Sequence, residues 1–131
     1  MKWLTLPILT ASVIAIAGED STYKSDREAL CHEIKEILID KQFCTDANDC
    51  SRRDILFCSP AINGIGIQLW GISDYEVIGP ALIAASQSYS NRTGKMRVYF
   101  DVYKTTKAES LSKPFWPFDP KIASFKFKGD R

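Results

Sequence analysis

"KMRVYFDVYK", residues 95–104, is the stretch on which the fold turns. Met96, Val98, Phe100 and Val102 alternate with Arg97, Tyr99, Asp101 and Tyr103. Successive side chains of an extended strand point to opposite faces, so this segment has one apolar face and one polar, aromatic face. A helix would need its apolar residues three and four apart. Clean alternation marks a sheet packed on one side only, which is the habit of antiparallel sheets.

Working outward, the same reading finds three more strands. "DILFCS" (54–59) is an apolar run bounded by turn residues. Asn63-Gly64 is a strong hairpin signal, and it leads into "IGIQLWGI" (65–72), where Ile65, Ile67 and Leu69 alternate with Gly66, Gln68 and Trp70. Near the C-terminus, "KIASFKFKG" (121–129) puts Phe125 and Phe127 inward and Lys126 and Lys128 outward. Between this strand and 95–104 the pattern allows a short helical or turn segment and then a loop.

Two helical segments separate the strands. Ser25-Asp26-Arg27-Glu28 has the form of a capping box, and Leu30, Ile34, Ile37 and Leu38 then recur at helical spacing, predicting a helix from 26 to about 41. Glu33, Lys35 and Glu36 form its solvated side. Ser73-Asp74-Tyr75-Glu76 is a second box, opening a helix through "VIGPALIAASQSYSNR" (77–92). Pro80 must either kink that helix or begin it, and Gly94 supplies a stop. The order helix, strand, strand, helix, strand, strand predicts an α+β domain: an antiparallel sheet of about four strands with two main helices on one face, stapled by disulfides.

The staples follow from the compartment. Residues 1–17, "MKWLTLPILTASVIAIA", have a lysine, an apolar core and an A-x-A end, which is the form of a cleavable signal peptide. The run falls short of the about 20 residues needed to span a bilayer. No cysteine stands directly after the cleavage site, where Gly18 is, so no stable membrane anchor is expected after cleavage. Export to a periplasm or the cell exterior puts Cys31, Cys44, Cys50 and Cys58 in an oxidising space, where an even count means disulfides. Zinc sites use close C-x2-C pairs, and these spacings are wider. The expected pairing is Cys44–Cys50, closing "TDAND", and Cys31–Cys58, tying the first helix to the first strand. Cys31 falls on that helix's apolar side and Cys58 ends an apolar run.

Removing 17 of the 131 residues leaves 114, a normal length for one domain, here 18–131. That domain has 16 basic and 16 acidic residues, since Lys2 leaves with the leader. Balanced charge gives no overall footprint for nucleic acid or for an anionic membrane. There are no repeats or low-complexity tracts.

Catalytic patterns are weak throughout. His32 stands among Glu33 and Glu36 with no serine–aspartate partners in evidence. "HEIKE" (32–36) lacks the second histidine of a zinc helix. "DANDC" (46–50) lacks the central glycine and closing glutamate of a calcium loop. "GIGIQLWG" (64–71) lies in a strand and not before a helix, so it is no phosphate loop. Acid pairs such as Asp119 with Asp130 have no distinguishing context. Asn91-Arg92-Thr93 is a glycosylation acceptor only in a host with that machinery; the leader suits a bacterial periplasm at least as well as a eukaryotic secretory route, so the sequon is read as chance. No cofactor or metal is implied, and an enzyme is the less favoured class.

Two features favour binding. The outward sheet face gathers Trp70, Arg97, Tyr99, Asp101 and Tyr103, residue types that anchor protein interfaces; the competing reading is cross-strand aromatic pairing that only stabilises the sheet. The loop "KPFWPFDP" (113–120) sets Phe115, Trp116 and Phe118 among three prolines, either as a lid over the core or as an exposed contact. The expected function is a small exported protein that binds and neutralises a protein partner, as a toxin-immunity protein or a hydrolase inhibitor does. The alternatives are an envelope or small-ligand-binding module and, less favoured, a small hydrolase using acidic residues. Oligomeric state is left open.

Overall fold

The computed structural model describes residues 23–94, 96–112 and 121–128. The expected signal peptide (1–17) and the loop 113–120, with Phe115, Trp116 and Phe118, lie outside the described residues. Within them the chain runs α1 (Lys24–Asp40), α2 (Ala47–Arg52), β1 (Leu56–Ala61), β2 (Gly64–Leu69), α3 (Tyr75–Thr93), β3 (Arg97–Tyr103), α4 (Lys107–Leu111) and β4 (Lys121–Lys128). This is an α+β fold.

The sheet is mixed, which corrects the antiparallel expectation. Its order is β1-β2-β3-β4. β1 pairs antiparallel with β2, and β3 with β4, but β2 and β3 run parallel, with Gly64 opposite Arg97 and Leu69 opposite Val102. The reason is the connection. A tight turn forces neighbouring strands antiparallel, whereas a helical crossover carries the chain from the C-terminal end of one strand back to the end where that strand began, so the next strand runs parallel. The 19-residue α3 spans about 28 Å at 1.5 Å per residue, ample to run back along a six-residue strand.

The helix starts also differ from expectation. α1 begins at Lys24 with Tyr23 as N-cap, so Ser25 sits inside the first turn and no side chain caps the helix. α3 begins at Tyr75 after Asp74, again without a side-chain cap bond. Side-chain caps are made elsewhere. Asp46 accepts from the Asp49 N–H at 2.8 Å, and Thr106 Oγ1 accepts from the Glu109 N–H at 3.1 Å. Both caps have extended backbone, which a capping side chain needs in order to reach the free N–H groups. Pro80 lies within a continuous α3. Gly94 ends that helix at φ 79°, a left-handed conformation that glycine adopts without Cβ strain.

One cluster forms the core. Leu30, Ile34 and Leu38 of α1, and Ile78 and Leu82 of α3, join Ile65, Ile67, Leu69, Val98, Phe100 and Val102 of the two central strands. From β4, Ala123, Phe125 and Phe127 pack against it while remaining half-buried. Gly64 has no room for a side chain beside β3: a Cβ there would lie 1.9 Å from the Arg97 carbonyl oxygen.

Of the three possible connectivities, the structure has Cys31–Cys58 and Cys44–Cys50. The first joins α1 to β1 across 27 positions and is half-buried. The second closes six positions around the start of α2 and is buried. Asp49 organises that small loop. Its carboxylate accepts from the Thr45 N–H at 2.9 Å and from Arg52 at 2.6 Å, with Arg53 at 3.4 Å. The Thr45 amide first, and then the two guanidinium groups, hold the Asp49 carboxyl at about 2 against opposing desolvation.

Candidate functional site: the outer face of the sheet

Register places the outward residues in rows across four strands. At one end Arg97 stands between Gly64 and Lys128; in the next row Tyr99 stands between Gly66 and Lys126. The third row runs Phe57, Gln68, Asp101 and Ser124, and the last brings Tyr103 opposite Lys121 at a bulge. Trp70 follows directly on β2, and its ring stacks on Tyr103 with centroids 3.9 Å apart and planes 7° apart. The structure therefore brings Trp70, Arg97, Tyr99, Asp101 and Tyr103 to one face.

Each side chain has a physical reason for its position. The alternation of β3 buries Val98, Phe100 and Val102 and so drives Arg97, Tyr99, Asp101 and Tyr103 to the opposite face. Gly64 and Gly66 raise no side chains beside Arg97 and Tyr99; Gly64 is itself buried, and a Cβ on Gly66 would lie 3.2 Å from Ser59 Oγ. Lys126 Nζ sits 5.5 Å from the Tyr99 ring centroid, within cation–π range. The acid of the group is committed: Asp101 Oδ1 accepts from Ser124 Oγ at 2.7 Å and lies 3.2 Å from Lys121 Nζ. Burial, with the Asp101 charge second and Lys121 opposing, raises the Tyr103 phenol above its usual value, so it stays a neutral hydrogen-bonding group. The Trp70–Tyr103 stack is cross-strand stabilisation as well as surface, since each ring spends one face on the other.

Sequence reading missed two members. Phe57 is 42% exposed on this face, and Lys107 Nζ lies 4.4 Å from its ring centroid. Phe57 was legible by parity, because Cys58 pairs inward with Ile67 and its neighbour must then point out. Lys107 carries no signal, for it arrives from α4 by a turn after β3. The outer aromatics Phe57, Trp70, Tyr99 and Tyr103 stand apart from the core cluster that holds Phe100 and Phe125.

Among the described residues, two depressions bear on the site. One, of about 320 Å³, lies between Arg52 and Arg53 on one side and Trp70 and Thr106 on the other. The Trp70 indole N–H is buried without an acceptor among the described residues. The other, of about 330 Å³ and largely apolar, lies along the Cys31–Cys58 bridge, Pro60 and Ile65. His32 lines neither; its side chain is 74% exposed and lies 3.8 Å from Glu36. Among the described residues no cluster of three or more His, Cys, Asp or Glu is placed to hold a metal. No described helix is long and apolar enough to cross a membrane.

In comparisons with known proteins, no family model, no curated protein and no solved structure matches the chain.

Proposed function

We propose that this is a small exported protein that binds, and thereby neutralises, a protein partner, with the outer sheet face as its contact surface. The observation that carries the reading is the segregation of aromatics. Phe57, Trp70, Tyr99 and Tyr103 share one face with Arg97, Lys121, Lys126 and Lys128, outside the core. Rigid aromatic rings and an arginine on a hydrogen-bonded sheet have the composition of interface anchors, with the lysines around them as a charged rim. In this reading the two long helices cover only the other face, in support of which their buried side chains share a cluster with Phe100 and its inward neighbours. The two disulfides suit an oxidising compartment, as an exported protein requires. Toxin-immunity proteins and hydrolase inhibitors are the functional classes that need such a surface and no catalytic set.

The test is site-specific photocrosslinking in the native host. A photoreactive side chain at Gln68, in the middle of the face, should give one discrete adduct; the same group at Glu36, on the exposed side of α1, should give none. Absence of an adduct from position 68, or equal adducts from both positions, would overturn the proposal.

A further inference from the structure

The outer face contains an arrangement that fold stability does not explain. Arg97 and Lys128 stand directly opposite each other on neighbouring strands, with Lys126 one row away. Like charges so placed oppose strand pairing. Lysines on β4 have a structural use, because β4 is an edge strand and edge lysines discourage sheet-to-sheet association. Arg97 has no such use. It lies on β3, which is paired on both sides. The one carboxylate in the rows, Asp101, is taken by Lys121 and Ser124, and among the described residues no acid pairs with Arg97, Lys126 or Lys128. The domain is neutral overall, yet this end of the face is a cluster of three cations around Tyr99.

We infer that the partner presents a carboxylate-rich segment to this corner, with glutamate or aspartate side chains seated on Arg97, Lys126 and Lys128 and an apolar or aromatic group lying over Tyr99. This rests on the proposed protein-binding role and deepens it by naming the partner's chemistry. A guanidinium takes a carboxylate in two parallel hydrogen bonds, which fits Arg97 to a glutamate or aspartate of the partner.

The test uses defined probes on the mature chain. A twelve-residue peptide of alternating glutamate and tyrosine, its lysine–tyrosine counterpart and a twelve-nucleotide single-stranded DNA are titrated in turn while backbone amide resonances are followed. The acidic peptide should shift amides in 97–103 and 121–128 and bind more weakly as salt rises. Arg97→Glu should weaken it about tenfold or more, the size expected for losing one charge-assisted contact. The same substitution should raise the melting temperature, since a like-charge pair becomes an opposite-charge pair. A merely structural Arg97 would not move the two readouts in opposite directions. No shift at these amides, equal binding of the lysine peptide, tighter binding of DNA, or unchanged affinity in Arg97→Glu would each overturn the inference. In the host, an adduct from position 68 that persists in Arg97→Glu would defeat the acidic-partner inference and leave protein binding standing. No adduct in either background would defeat both.

Discussion

The two faces of β3 differ by one residue of offset and by almost everything else. Val98, Phe100 and Val102 are no more than 1% exposed. Arg97, Tyr99, Asp101 and Tyr103, each one step along the same backbone, are half-buried at most. Inward positions are interchangeable in chemistry and strict in volume, because they touch helices and neighbouring strands in a close-packed interior. Outward positions are loose in volume and particular in chemistry, because their value lies in what they can contact from outside. If that contrast is right, substitutions on the two faces should separate stability from binding.

The sharpest way to break it is Phe100→Ala. This removes a fully buried ring from the centre of the cluster and should destabilise the domain by about 3–5 kcal/mol in chemical denaturation. A loss under 1 kcal/mol would mean that the inward face is not the core. Gly64→Ala comes next. Its methyl group would have to displace the Arg97 carbonyl across a parallel pair, and overpacking of that kind costs about 1–3 kcal/mol. Its melting temperature should fall even though Gly64 contributes no side-chain contact.

Tyr103→Ala probes the outer face. It loses one stacked aromatic pair, worth about 0.5–1.5 kcal/mol beyond area. It should reduce adduct formation from position 68 far more than it reduces stability. Equal thermal shifts for Tyr103→Ala and Phe100→Ala would show that the two faces have been assigned wrongly.

The smallest effect sharpens the comparison from outside the sheet. Asp49 has an ordinary carboxyl value of 3.8 and is held at about 2 in the folded chain. The unfolded chain therefore takes up this proton first as pH falls. The resulting stabilisation is complete above pH 4 and drains away between about pH 4 and pH 2. Denaturation midpoints of the protein and of Asp49→Asn should differ at pH 7 and converge toward pH 2. A gap that stays constant with pH would remove the ionised carboxylate from the account.

Much of the candidate site was legible before any fold was known. Period-two alternation in 95–104 separated Arg97, Tyr99, Asp101 and Tyr103 from their neighbours, and the same rule put Trp70 with them. Parity would also have yielded Phe57. What could not be read were the neighbours in space: Trp70 stacked on Tyr103, Lys107 over Phe57, Arg97 facing Lys128. These depend on register between strands separated by a long helix or by a loop. The expected caps failed as well. Ser25 and Ser73 have the right residues after them, but Ser25 lies inside α1, whose N-cap is Tyr23, and Ser73 lies one residue before Asp74, the N-cap of α3, so neither stands at the cap position.

By itself the sequence determined much of what rests on local geometry: the two long helices and the four strands, which side of each strand is apolar, and a cysteine spacing suited to staples; the short α2 (Ala47–Arg52), read as a turn, was missed. Side-chain direction follows from backbone period alone, so a single strand carries that information. Only the tertiary structure decided that β2 and β3 run parallel, that the strand order is sequential, and that three cations meet around Tyr99. Those outcomes depend on where a 19-residue helix delivers the chain after packing on the core, a long-range result that no window of residues contains.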